Sequence, residues 1–186
     1  MGKFIDVGAS FNEARSHRQE LGRLWDKGKP KLIAICMNPS TADETKSDNT
    51  VSTLEKRAKI MGYGSLTMLN ILDVVETDSR RLEEMSPAER CTPENEKFLT
   101  CALDAAEKGE ADIFCGWGGA GQKFGDVKWL LREAGSRNIT LFCFWKNNDG
   151  SPKHPLYVPL KTEFSWFGGV NKEDASSPLV GTASRR

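Results

Sequence analysis

The sequence has no excess of either charge, little histidine and no apolar stretch long enough to cross a membrane, and each shortage removes a class of function. Lys plus Arg and Asp plus Glu both number 26. No overall field therefore draws the chain to nucleic acid or to an anionic membrane, and any such partner must meet a local patch. No apolar run approaches the roughly 18 residues of a spanning helix, and the polar start MGKFIDVGAS lacks the apolar core of a secretion signal. A cytoplasmic location with no membrane partner is the expectation. Two histidines without a His-x-x-x-His pair and five cysteines without a Cys-x-x-Cys pair spell out neither a zinc or iron-sulfur site nor a disulfide framework. No metal and no other cofactor is expected. The nucleophile elbow, the P-loop and the kinase motifs are missing too.

What is present suits one globular domain. The chain has 186 residues, 38% hydrophobic and 28% charged, which gives enough apolar material for a core. The expected domain covers 1–171, and the small polar residues of 172–186 read as a flexible tail. Four short, near-continuously apolar runs, 31–37 (KLIAICM), 65–72 (SLTMLNIL), 111–117 (ADIFCGW) and 139–145 (ITLFCFW), have the pattern of strands covered on both faces. Cys36, Cys115 and Cys143 lie inside these runs and read as small core residues. Between the runs, apolar residues recur at helical spacing. Val51, Leu54, Ala58 and Met61 follow a capping group among Asp48, Asn49 and Thr50 and precede Gly62. Thr92 and Pro93 open a second helix that Gly109 ends, and Phe124, Val127, Leu131 and Ala134 mark a third before Gly135. The alternation predicts an α/β fold, a three-layer α/β/α sandwich around a central four-stranded, mainly parallel sheet. Residues 11–25 fit either an amphipathic helix or a strand at the sheet edge.

Charge is uneven along the chain. Residues 76–112 carry eleven acids and five bases, whereas 121–161 carry seven bases and three acids. The later segment is the candidate anion-facing side, unless both are simply solvated helix faces.

Ligands of open α/β sheets bind beyond the carboxyl ends of the strands, so the residues that follow each run come first. Asn38 beside Pro39 puts an amide on a stiffened loop, either as a turn cap or as a ligand-facing group. Asn70 sits inside an apolar strand, where a primary amide is costly unless fully hydrogen-bonded; it is either structural or paired with a ligand's donor and acceptor edge. Gly118, Gly119 and Gly121 would let backbone approach a phosphate, a weak motif without a full Gly-x-Gly-x-x-Gly. His154, between Lys153 and Pro155, reads as functional or as a surface histidine. Asp43 and Asp48 flank a Ser/Thr-rich loop as capping acids, or as a base or cation site.

Taken in order, NPSTAD, the Asn-bearing strand LTMLNIL, the CGWG turn and the terminal HPLY resemble the bacterial and phage family called domain of unknown function 1643. The same landmarks are similar to motifs of the uracil-DNA glycosylase superfamily: an Asn or Asp before Pro that positions water, a strand Asn that reads uracil, a Trp-Gly strand end and a final His-Pro loop. That resemblance implies a glycosylase-like fold and hydrolysis of the N-glycosidic bond of a damaged or modified, uracil-like base in DNA. It implies that Asn38 and His154 are catalytic, placing water and hydrogen-bonding the leaving base. Met37, Pro39, Ser40, Asn70, Gly118 and Gly119 would line the base site, and Lys123, Lys153, Leu156 and Tyr157 would contact DNA. Asn38 stands where some branches have Asp, and the last loop reads His-Pro-Leu-Tyr rather than His-Pro-Ser. Tyr63 and Phe124 are candidates for the aromatic that stacks on the base. Two other readings stay open: a non-catalytic DNA- or nucleobase-binding module, and a hydrolase of free modified nucleotides.

Overall fold

The structure is a computed structural model that describes residues 5–169. The four apolar runs form parallel strands: β3 (Lys31–Cys36), β4 (Ser65–Asn70), β5 (Ala111–Cys115) and β6 (Thr140–Cys143). The sheet nevertheless has seven strands rather than four. Its order is β1-β2-β4-β3-β5-β6-β7, with β1 (Asp6–Phe11) and β2 (Arg18–Leu24) antiparallel on one side and β7 (Ser165–Gly169) antiparallel on the other. These three lack a continuous apolar run for a physical reason. Antiparallel strands near an edge bury one face, so from Gln19 onward β2 alternates between buried and half-buried residues, and β7 buries only Phe167. Of the two readings of 11–25, the strand is correct.

Helices cover both faces. Helix α1 (Asn49–Ile60) packs on one face, where Leu32, Ala34, Leu66, Met68 and Phe114 point. Two very short helices, α2 (Arg81–Glu84) and α3 (Pro87–Arg90), lead into α4 (Pro93–Glu107). After the four-residue α5 (Gly118–Gly121) comes α6 (Gly125–Ser136). Helices α4 and α6 pack on the opposite face against Ile33, Ile35, Leu69, Ile113 and Leu141. The alternation of neighbours in β3 between the two cores is the period-2 geometry of a strand. Asp48 caps α1 by accepting from the Val51 N–H at 2.8 Å, an interaction typically worth ~1 kcal/mol. Thr92 and Pro93 open α4 as expected. Phe124 is the N-cap of α6 and is buried in the same core as Val127 and Ala134. Cys36, Cys115 and Cys143 are core residues. The proposed tail, 172–186, lies outside the described residues, and no described helix is long and apolar enough to cross a membrane.

Candidate functional site

The parallel part of the sheet reverses direction at β3: the chain steps from β3 to β4 on one side, then crosses to β5 on the other. Helices on opposite faces leave a crevice at such a point, beyond the carboxyl ends of the strands. Two adjoining compartments lie there, with Met37 and His154 lining both. The smaller, about 50 Å³, is lined by polar side chains that include Arg18, Asn38, Ser40, Asp48, Asn70 and His154. The larger, about 320 Å³, is lined by Met37, Trp117, Gly118, Gly119, Ala120, Asn147, Lys153, His154 and Tyr157.

Each polar group arrives by a specific route. Asn70 ends β4 opposite Cys36 and shares the face of Leu66 and Met68, the side on which α1 begins. It is 1% exposed. Its Oδ1 accepts from Arg18 Nη2 at 3.1 Å, and an arginine can only donate, so this contact fixes the amide with Nδ2 as its free donor. From the other face, Asn95 Nδ2 donates to the backbone carbonyls of Asn70 and Ile71 at 3.0 and 3.1 Å, pinning the strand end.

Asn38 commits both amide hydrogens to carbonyls, those of Pro39 at 2.9 Å and Glu76 at 2.7 Å. What remains to offer is an acceptor, Oδ1. His154 precedes a 3₁₀ turn (Pro155–Tyr157), and its Nδ1 accepts from the Leu156 N–H at 3.4 Å. That bond requires the tautomer protonated at Nε2. Burial, opposed by the nearby Asp48 carboxylate, holds the imidazole below its ordinary value of 6.5. At neutral pH His154 is therefore an uncharged Nε2–H donor.

The glycine loop after β5 is shaped by packing. Gly118 has φ +72°, a conformation that favours glycine, and its N–H donates to the Pro152 carbonyl at 3.1 Å, joining this loop to the one that carries His154. A Cβ on Gly121 would fall 2.7 Å from Trp117. The run thus lets two loops close on each other, and the Gly118 N–H is not free to cradle a phosphate.

The other sequence candidates are dispersed. Pro39 is buried behind the cleft and lines neither compartment, although its carbonyl anchors Asn38. Lys153 lines the larger compartment with its Nζ 5.5 Å from the Trp145 ring. Tyr157 lines the larger compartment and is 72% exposed, whereas Leu156 is exposed and lines neither compartment. Lys123 is outside both compartments and pairs with Glu83. Arg137 pairs with Asp104 at 2.6 Å, so the basic segment partly neutralises the acidic one instead of forming one anion-facing side. Tyr63 and Phe124 do not line the cleft: Tyr63 is fully buried with its hydroxyl on Asp112, and Phe124 packs in the core under Arg90. Of the capping acids, Asp43 closes a turn onto Thr45 and Lys46, while Asp48 both caps α1 and lines the small compartment.

Arg18 is the site residue that sequence reasoning missed. It opens β2, and the antiparallel pairing of β2 with β4 delivers it to the carboxyl end of β4. A larger cavity, about 580 Å³, lies on the α4 and α6 side around Leu72, Leu99 and Trp129 and holds none of Asn38, Asn70, Gly118 and His154. The paired compartments are the better candidate because the polar groups converge there. Among the described residues, no three His, Cys, Asp or Glu side chains gather as a metal site would need.

A family model described as "Protein of unknown function (DUF1643)" matches residues 18–156. The matched span takes in every residue lining the two compartments except Tyr157. No curated protein and no solved structure is similar to the chain.

Proposed function

The chain belongs to the DUF1643 family, and from that premise we propose that it is an N-glycosylase acting on a uracil-like, modified or damaged base in DNA. The reading rests on one observation: Asn38, Asn70 and His154, far apart in sequence, converge on one small compartment. Their hydrogen-bond commitments leave complementary roles. The small compartment is about a third of the roughly 150 Å³ that holds a benzene ring, so the ring of a base belongs in the larger one, against Met37, Trp117 and His154.

Hydrolysis breaks the bond between the sugar C1′ and the base nitrogen, and the electron pair stays with the base. His154 Nε2–H then faces a base oxygen that gains negative charge, the kind of donor that lowers such a barrier. Water adds to C1′ and is oriented by Asn38 Oδ1. Its proton passes to Asp48, the carboxylate that lines the compartment. A duplex base must first leave the stack, at a cost of a few kcal/mol, which the exposed Tyr157 and its neighbour Leu156 would offset by filling the gap.

A second reading, a non-catalytic nucleobase-binding module, draws on Asn38: its amide hydrogens are locked, and no carboxylate stands at that position. Incubating the full chain with oligonucleotides that contain uracil, hydroxymethyluracil and other modified bases, then cleaving abasic sites with alkali, separates the two. Strand breaks at one modified base are expected, with His154→Ala and Asn38→Ala each slowing release by about 100-fold. Retention of oligonucleotides without breaks would establish the module. Near-wild-type turnover by either variant would overturn the mechanism.

A further inference from the structure

We propose that the small compartment receives a compact oxyanion of the ligand, a carboxylate or phosphate group, held by Arg18 together with Asn70 Nδ2. The inference deepens the base-site reading and depends on it for the placement of the ring.

Arg18 is 2% exposed, yet it forms no ion pair among the described residues. Its guanidinium carries five N–H donors. Nη1 donates to the Ala42 carbonyl at 2.9 Å and Nη2 to Asn70 Oδ1 at 3.1 Å, while Nε is buried without a partner. A charge withdrawn from water with donors unmet is costly, and burial, reinforced by Arg23 and opposed by the nearby Asp48 carboxylate, lowers this guanidinium to about 10. The side chain nevertheless lines the compartment beside Asn70, whose Nδ2 is left as a donor by the contact of its Oδ1 with Arg18.

Asn38, Asp48, Ser40 and Thr50 bring acceptors to the same space, and the hydroxyls of Ser40 and Thr50 can turn to donate. Asn38 Oδ1 is neutral. The carboxylate of Asp48 is engaged by the Val51 N–H at the start of a twelve-residue helix, whose positive end offsets part of its charge. The Cys36 thiol, pushed up to about 12 by burial, contributes no charge. Size narrows the guest further. About 50 Å³ exceeds the roughly 30 Å³ share of one water and falls well short of an aromatic ring. A group of two or three oxygens fits, reached across the seam at Met37 and His154 from a ring seated next door. Guanidinium bonds to such oxygens are charge-assisted and the strongest of their kind.

Titration calorimetry of the full chain with uracil, 5-carboxyuracil, uridine monophosphate and inorganic phosphate tests this. At least one oxyanion-bearing base is expected to bind about tenfold or more tightly than uracil. A gain with 5-carboxyuracil places the oxyanion on the base, and a gain with the monophosphate places it on the sugar phosphate. Arg18→Gln should abolish the gain, so that in this variant the oxyanion-bearing base binds no more tightly than uracil does. The wild-type ratio needs no variant and decides the matter if Arg18→Gln fails to fold. Equal affinity for all the bases, or binding of none, overturns the proposal. Phosphate and both acidic bases binding alike, with uracil not bound, would uphold the oxyanion site and remove the base reading. Cleavage of uracil DNA with no preference for acidic bases would do the reverse.

Discussion

Of the three arginines buried among the described residues, Arg18 at 2% and Arg57 at 1% exposure are satisfied very differently. Arg57 projects from α1 into the loop that follows His154. Its Nη1 donates to the carbonyls of Pro159 at 2.9 Å and Leu160 at 3.2 Å, and its Nη2 to those of Pro155 at 3.3 Å and Val158. The guanidinium also lies 4.3 Å above the Phe144 ring. Arg18 has two acceptors and a wall of the cleft. Each leaves its Nε without a partner. The contrast teaches that a buried charge is read by its acceptors. Where one loop supplies four carbonyls, the arginine holds architecture; where acceptors run short beside a cavity, it has donors left for a guest.

The largest expected effect follows from replacing each arginine by an apolar side chain of similar length. Arg57→Met orphans carbonyls that two guanidinium nitrogens now share, and should cost roughly 3 kcal/mol or more in urea unfolding. Arg18→Met removes a poorly compensated buried charge and should cost less than about 1.5 kcal/mol. Equal losses would break the comparison and make Arg18 as architectural as Arg57.

Asn70→Asp sharpens it on a smaller scale. The carboxylate keeps an acceptor for Arg18 Nη2 but cannot donate as Nδ2 does. Stability is expected to change by less than about 1 kcal/mol, while the ranking of bases released or bound in the oligonucleotide panel shifts. A lower melting temperature with an unchanged ranking would make Asn70 a structural amide.

The smallest effect is in pH. The folded state holds His154 below its ordinary 6.5 because burial opposes the charge. Between those two values the unfolded chain binds more protons than the folded one, so stability rises with pH there. This contribution is complete above about pH 6.5 and declines as the pH falls toward the folded value. The urea midpoint of the wild type should therefore fall more steeply below pH 6.5 than that of His154→Gln. Parallel curves would show an unburied imidazole.

The legibility of the sequence follows the same division. Strands β3 to β6 are evident because both their faces are covered, which leaves no polar residue to interrupt most of the run. Asn70 stands out within SLTMLN for that reason. Strands β1, β2 and β7 do not stand out, since RQELGRL buries Arg18, Gln19 and Arg23 and looks like a surface segment. Arg18 could be recognised only once β2 was known to run antiparallel to β4, a pairing set by partners over forty residues away. Asn38 and His154 were visible from adjacent prolines, but the bonds that fix their donor and acceptor roles come from Glu76 and Leu156, and nothing local predicts the first. Lys123 looked like an anion contact because its partner Glu83 is distant in the chain.

The clasp between Arg57 and the Val158 carbonyl spans 101 positions of the chain, and the contact from Arg18 to Asn70 spans 52. Contacts of this reach close long loops, and the entropy of closing them is repaid only when the intervening structure is in place. The local unit from β3 through α1 to β4 can assemble from neighbouring residues, but it carries Asn38 and Asn70 without Arg18 or His154. The cleft is thus a property of chain closure: no fragment contains part of its chemistry in working order, and its geometry forms only when residues near both ends of the described chain meet across the finished sheet.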